Sequence, residues 1–305
     1  MDNTDIFHEA VSDEGGRLDT ASLGPDTAAA YDYVAQRARG FLRTAATALP
    51  EMPPIHFDFV YRGAVATLGV LFDRMLADPE ILPFIGAAEQ EAAGLPLLPG
   101  LGIDFKQTVA SVPTFPRPRD PARRSTARRL GELALDFLTT HEFAHIANGH
   151  VDYAEEYLGI REIDEFGWAA RAPGRRERAL IKQTMEMDAD SIAVLLSLNS
   201  EWGRVVGAYP IPGPEWHDFY SRPGMVSLQW SWAVSSLFRL FGEARLTDED
   251  ALESHPPPRF RSVMAQQAAG RVPRPQGLDT HPTESTRSPT RARTLPGTPQ
   301  NAMRR

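Results

Sequence analysis

The sequence predicts a mainly helical α+β domain with a small sheet, spanning about 26–270 of its 305 residues. Three observations predict it. Long stretches place apolar residues three and four apart, the period of a helix with one buried face. One stretch, IHFDFVYR (55–62), alternates with the period of a strand. A hydrophobic content of 42% in a chain of this length is enough to bury a substantial core.

Residues 1–25 are polar and contain glycines, which predicts a flexible leader. DTAAAYDYVAQRARGFLRTAATAL (26–49) is rich in alanine and reads as a helix until EMPP breaks it. The strand at 55–62 would put Ile55, Phe57, Phe59 and Tyr61 on one face, followed by an amphipathic helix over 63–78. The proline-rich segment 95–121 predicts irregular structure with one short strand near 103–110. From about Arg123, Leu130, Leu133, Ala134, Phe137 and Leu138 form a stripe that runs directly into His141, and Gly149 supplies a stop. Further helices are expected over 176–200 and about 225–244, and PPPRFRSVMAQQAAG forms a short last one with proline in its first turn. Residues 271–305 are Pro, Arg, Thr and Ser with few large apolar side chains, a composition that predicts a disordered basic tail.

Charge and cysteine content narrow the function. The net charge is −8, but residues 255–305 hold nine arginines against one aspartate and one glutamate, +7, which leaves −15 on the first 254 residues. An acidic body of this kind gives no clear sign of nucleic-acid binding. The stretch 225–242 is apolar but carries Gln229 and Arg239, so a buried helix is expected and not membrane insertion. The absence of cysteine excludes disulfides, thiol nucleophiles and cysteine-ligated zinc. It fits a reducing compartment, and the expected location is the cytoplasm.

HEFAHIANGH (141–150) concentrates three of the eight histidines in ten residues. His141 and His145 lie four apart, on one face of a helix, where two imidazoles can share one zinc ion (Zn2+). Glu142 lies about 100° further round, suited to holding and deprotonating a water at the metal. The extended pattern HExxHxxGxxH fails, because its last two marked positions are Asn148 and Val151. His150, past the glycine stop, is expected to be a surface or capping residue. The third ligand comes instead from EMDAD (186–190). Glu186 and Asp190 share one face of an otherwise apolar helix, and like charges there need compensation. Glu186 is the expected ligand and Asp190 the acceptor for the far nitrogen of a ligating histidine. Asp188, about 200° away, is expected to face water or cap a neighbour. His217 and Tyr220 are expected to be structural.

HEFAH followed by EMDAD resembles the gluzincin branch of the zincin metallopeptidases, HExxH…ExxxD. It is most similar to soluble relatives of CAAX-prenyl proteases and to Lit-type phage-exclusion peptidases, and SHPPPRFRS (254–262) resembles a His-Pro-Pro motif found in many of them. The resemblance implies a zincin-like domain over 26–270, with Asp190 orienting His141 rather than His145. It also favours a site role for His255, as an oxyanion donor or a plug on the metal; a residue capping the last helix is the alternative. The expected activity is that of a zinc metalloendopeptidase acting on a protein or peptide: zinc polarises the scissile carbonyl, and Glu142 passes a proton from water to the leaving amine. The rival is a catalytically silent zincin scaffold that serves as a binding or regulatory module.

Overall fold

The computed structural model describes residues 25–48, 63–91, 117–158, 176–240 and 256–275. The chain falls into two units, Met1–Pro273 and Arg274–Arg305, and every helix named below belongs to the first. These are α1 (Pro25–Ala48), α2 (Gly63–Leu76), α3 (Pro121–Ala147), the single turn α4 (His150–Tyr153), α5 (Arg176–Val205), the single turn α6 (His217–Tyr220), α7 (Pro223–Leu240) and α8 (Pro258–Ala269). A π-helical turn, Ala154–Leu158, extends α4.

The expected small sheet is corrected. Among the described residues every regular element is a helix and none is a strand. The apolar faces of the helices close on one another, so no sheet is needed to cover them. The stretches 55–62 and 103–110 lie outside the described residues, as do the leader, most of the basic tail and His255. No helix among the described residues is long and apolar enough to cross a membrane.

Helix α3 is the centre of the fold, packed against α1, α2, α5 and α7. Its start is well defined: Asp120 caps the first turn, its Oδ1 accepting from Arg123 N at 2.9 Å, and Pro121 occupies the first helical position. Its buried stripe of Leu130, Leu133, Ala134, Phe137, His141, Ala144 and His145 repeats at helical spacing. The two histidines therefore occupy positions that would otherwise carry core hydrophobics. Phe137 anchors the contact with α7, its ring lying 6.3 Å from Trp230 and 5.6 Å from Phe238. On α5 the facing stripe includes Ala189, Ala193 and Val194, small side chains that let two backbones approach. Thr140 Oγ1 reaches Ala193 O across this interface at 3.4 Å.

A fully buried arginine ties α2 to α3. The guanidinium of Arg123 donates from Nε to Leu76 O, from Nη1 to Leu82 O and Ile85 O, and from Nη2 to Asp78 O and Ile81 O, at 2.6 to 3.1 Å. All five donors of the group are used. Leu82 is held at a φ of 47°, a left-handed conformation that a branched side chain rarely adopts. On the far side, Arg37 on α1 pairs with Asp136, and Glu201 on α5 accepts from Tyr220 at 2.8 Å and pairs with Arg204. Burial pushes the Glu201 carboxyl up despite its arginine neighbours.

Arg123→Ala removes a donor from each of five carbonyls and leaves a void, and Arg123→Lys keeps the charge but not the planar fork. Thermal melts should show the alanine variant destabilised by about 3 kcal/mol or more, with lysine recovering only part of the loss.

Candidate metal centre

Three residues bring donor atoms together where α3 closes on α5. His141 Nε2 lies 3.1 Å from His145 Nε2, His141 Nε2 lies 3.3 Å from Glu186 Oε2, and His145 Nε2 lies 3.5 Å from Glu186 Oε1. His141, His145 and Glu186 are each at most 2% exposed, and they form a group with metal-binding spacing. A tetrahedral zinc with bonds near 2.0–2.1 Å sets its ligand atoms about 3.3 Å apart. The observed separations of 3.1, 3.3 and 3.5 Å bracket that length, with each histidine facing a different oxygen of Glu186, so the residues fit the ion.

The helix geometry explains the convergence. Histidines four apart on α3 stack along one face, and Glu186 stands opposite on the buried face of α5. Phe137, one turn before His141, stacks on its ring with centroids 6.4 Å apart and an interplanar angle of 24°. Packing thus restricts the ring before any ligand acts on it.

Asp190 stands behind His141. Its Oδ1 lies 3.1 Å from His141 Nδ1, the ring nitrogen that faces away from Glu186. Burial acts to raise the Asp190 carboxyl, but Arg261 and then His141 outweigh it and hold the group below its ordinary value. Glu142 is exposed, one position beyond His141.

Arg261, in the first turns of α8, was missed in the sequence. It forms a two-pronged pair with Asp190, Nε to Oδ2 at 2.7 Å and Nη2 to Oδ1 at 2.8 Å, and its Nη2 lies 3.5 Å from Glu186 Oε2. The guanidinium carbon also lies 4.9 Å from the Phe238 ring centroid. One signal was present: Arg259 and Arg261 fall near the N-terminus of a helix, where the helix dipole disfavours cations unless an acid receives them.

The expectation for His150 needs correction, whereas Asp188 faces water and holds its neighbours as expected. His150 is largely buried, with Nδ1 3.1 Å from His145 Nδ1 and Nε2 3.2 Å from Asp188 Oδ2. Burial lowers the His150 pKa below its ordinary value, against the opposing pull of Asp188. Asp188 reaches solvent, and the same Oδ2 also accepts from Asn148 Nδ2 at 2.5 Å. His217 is exposed on α6, and Tyr220 is buried on Glu201.

The chain matches no family model, no curated protein and no solved structure. The site therefore stands on its own geometry.

Removing Arg261 leaves two buried carboxylates without their guanidinium. Arg261→Met should destabilise the fold by about 3–5 kcal/mol at neutral pH, and adding Asp190→Asn should restore part of it. The pH dependence has a defined sign. A carboxyl held below its ordinary value stabilises the fold above about pH 4, and that contribution disappears as acid titrates the folded-state group. Denaturant titrations should therefore show the gap between wild type and Arg261→Met narrowing on acidification, and a gap that widens contradicts the pairing.

Proposed function

We propose that the chain is a zinc-dependent metallopeptidase of the gluzincin type, with His141, His145 and Glu186 as metal ligands and Glu142 as general base. The observation that carries this reading is the buried convergence of the two Nε2 atoms, 3.1 Å apart, with the Glu186 carboxylate, whose Oε2 and Oε1 lie 3.3 Å from His141 and 3.5 Å from His145. Bound there, zinc supplies a Lewis acid for a scissile carbonyl. Glu142 accepts a proton from the attacking water and delivers it to the departing amine. Asp190 keeps the His141 proton on Nδ1 and so leaves Nε2 unprotonated. The substrate is a protein or peptide, and the cytoplasm is the proposed location.

Charge balance adds support. With both imidazoles neutral, Glu186 and Asp190 face one guanidinium, which leaves a buried excess of one negative charge, a costly arrangement that a divalent cation relieves. A second reading draws on the 3.5 Å approach of Arg261 Nη2 to Glu186 Oε2. There the arginine itself is the cation for both carboxylates, and the scaffold is a catalytically silent binding or regulatory module.

Metal analysis separates the two. The metallopeptidase reading expects about one zinc per chain in the wild type, lost from the His141→Ala, His145→Ala and Glu186→Ala variants. Retention of zinc by the triple variant overturns the ligand assignment. Glu142→Gln should keep its zinc and fold while peptide cleavage falls by about 10²-fold or more. Stoichiometric zinc with no cleavage of a broad peptide library by the wild type favours the silent scaffold. His255→Ala separates its three proposed roles: kcat falls by about 10²-fold for an oxyanion donor, rises for a plug, and is unchanged for a cap.

A further inference from the structure

His145 and His150 are five residues apart, and in an uninterrupted helix such residues point about 140° away from each other. They meet only because α3 ends at a left-handed glycine. Gly149 has φ 70° and ψ 20°, and the chain restarts as α4 at His150. This reversal sets the two Nδ1 atoms 3.1 Å apart, with ring centroids 5.1 Å apart at 69°. The other nitrogen of His150 is 3.2 Å from Asp188 Oδ2.

The proton positions along this row follow from its far end. An ionised Asp188 can only accept hydrogen bonds, so the His150 nitrogen that faces it, Nε2, must carry the proton. Nδ1 of a neutral His150 is then an acceptor, and the proton in the 3.1 Å contact belongs to His145 Nδ1. His145 Nε2 is left with a lone pair, and that atom is the one facing His141 and Glu186. The reverse order sets a nitrogen lone pair against a carboxylate oxygen at 3.2 Å, which is repulsive. Asn148 Nδ2 donates to the same Asp188 oxygen and holds it in place.

We propose that His150, oriented by Asp188, is a positioning residue that fixes His145 in the Nδ1–H tautomer and aims its Nε2 at the metal. This inference rests on the metal reading above. EMDAD then serves both histidines of HEFAH from one helix. Asp190 acts on His141 directly, and Asp188 acts on His145 through one intervening imidazole. His150 Nδ1 needs only to be an acceptor, so a side-chain amide oxygen at the same place can substitute for it.

The test is zinc affinity of the full chain, measured by competition with a chromophoric chelator, alongside apo-protein melting curves. His150→Ala should weaken zinc by about 10- to 100-fold. His150→Asn, which sets an amide oxygen near the Nδ1 position, should recover most of the loss, as mere filling of space would not. An alanine variant that binds zinc within about twofold of wild type, when His145→Ala has lost it, overturns the proposal and leaves the metal reading intact. Wild type that binds no zinc overturns both. A measurement independent of variants is the long-range 1H–15N histidine spectrum of the zinc-loaded wild type. His150 should be the Nε2–H tautomer and His145 the Nδ1–H tautomer; the opposite assignment for His150 overturns the proposal even if a variant fails to fold.

Discussion

Setting Glu186 and Asp190 on the face of α5 that closes against α3 removes two carboxylates from water at the tightest contact of the fold. Each isolated buried carboxylate costs several kcal/mol unless an opposite charge and hydrogen bonds receive it. Much of the surrounding architecture answers that requirement. Arg261 arrives from α8 to form a two-pronged pair with Asp190, and Phe238 of α7 lies under its guanidinium. His141 and His145 fill the remaining space from α3. The approach of α8 to α5 and α7 is thus an electrostatic matter as much as an apolar one.

The two histidines differ although they share one helical face. His141 is enclosed, stacked on Phe137 and backed by a carboxylate. His145 lies at the end of α3, and its outer nitrogen meets a second imidazole instead. The difference follows from position along the helix. His141 sits where α5 runs alongside, whereas His145 sits one turn nearer the break at Gly149, so its outer neighbour is supplied by the returning chain.

The parts of this site that were legible in the sequence are those governed by helical spacing. Spacing of four places His141 with His145 and Glu186 with Asp190, and an apolar stripe leading into both pairs identifies those faces as buried. The same rule misjudged His150, because a left-handed glycine resets the phase and only the turn geometry says where the chain goes next. Arg261 was invisible for another reason: its partner is 71 residues away, and nothing local names it. Arg123 reads as a surface residue by type and is fully buried, since a ring of carbonyls takes the place of water. No sheet forms among the described residues, where the helices suffice to cover one another; the alternating stretch 55–62 lies outside them. His255 lies outside those residues.

The five carbonyls around Arg123 come from residues 38 to 47 positions earlier in the chain. Those oxygens point inward towards a single guanidinium, which adds to the local turn bonds from Ile81 N to Asp78 O and from Ile85 N to Leu82 O. The turns over 77–85 are local, but their junction with α3 requires closing a loop of this size, an entropic penalty that precedes any reward. The set of bonds to Arg123 is completed when the first turn of α3 docks against the end of α2, so opening that junction uncovers all five carbonyls together.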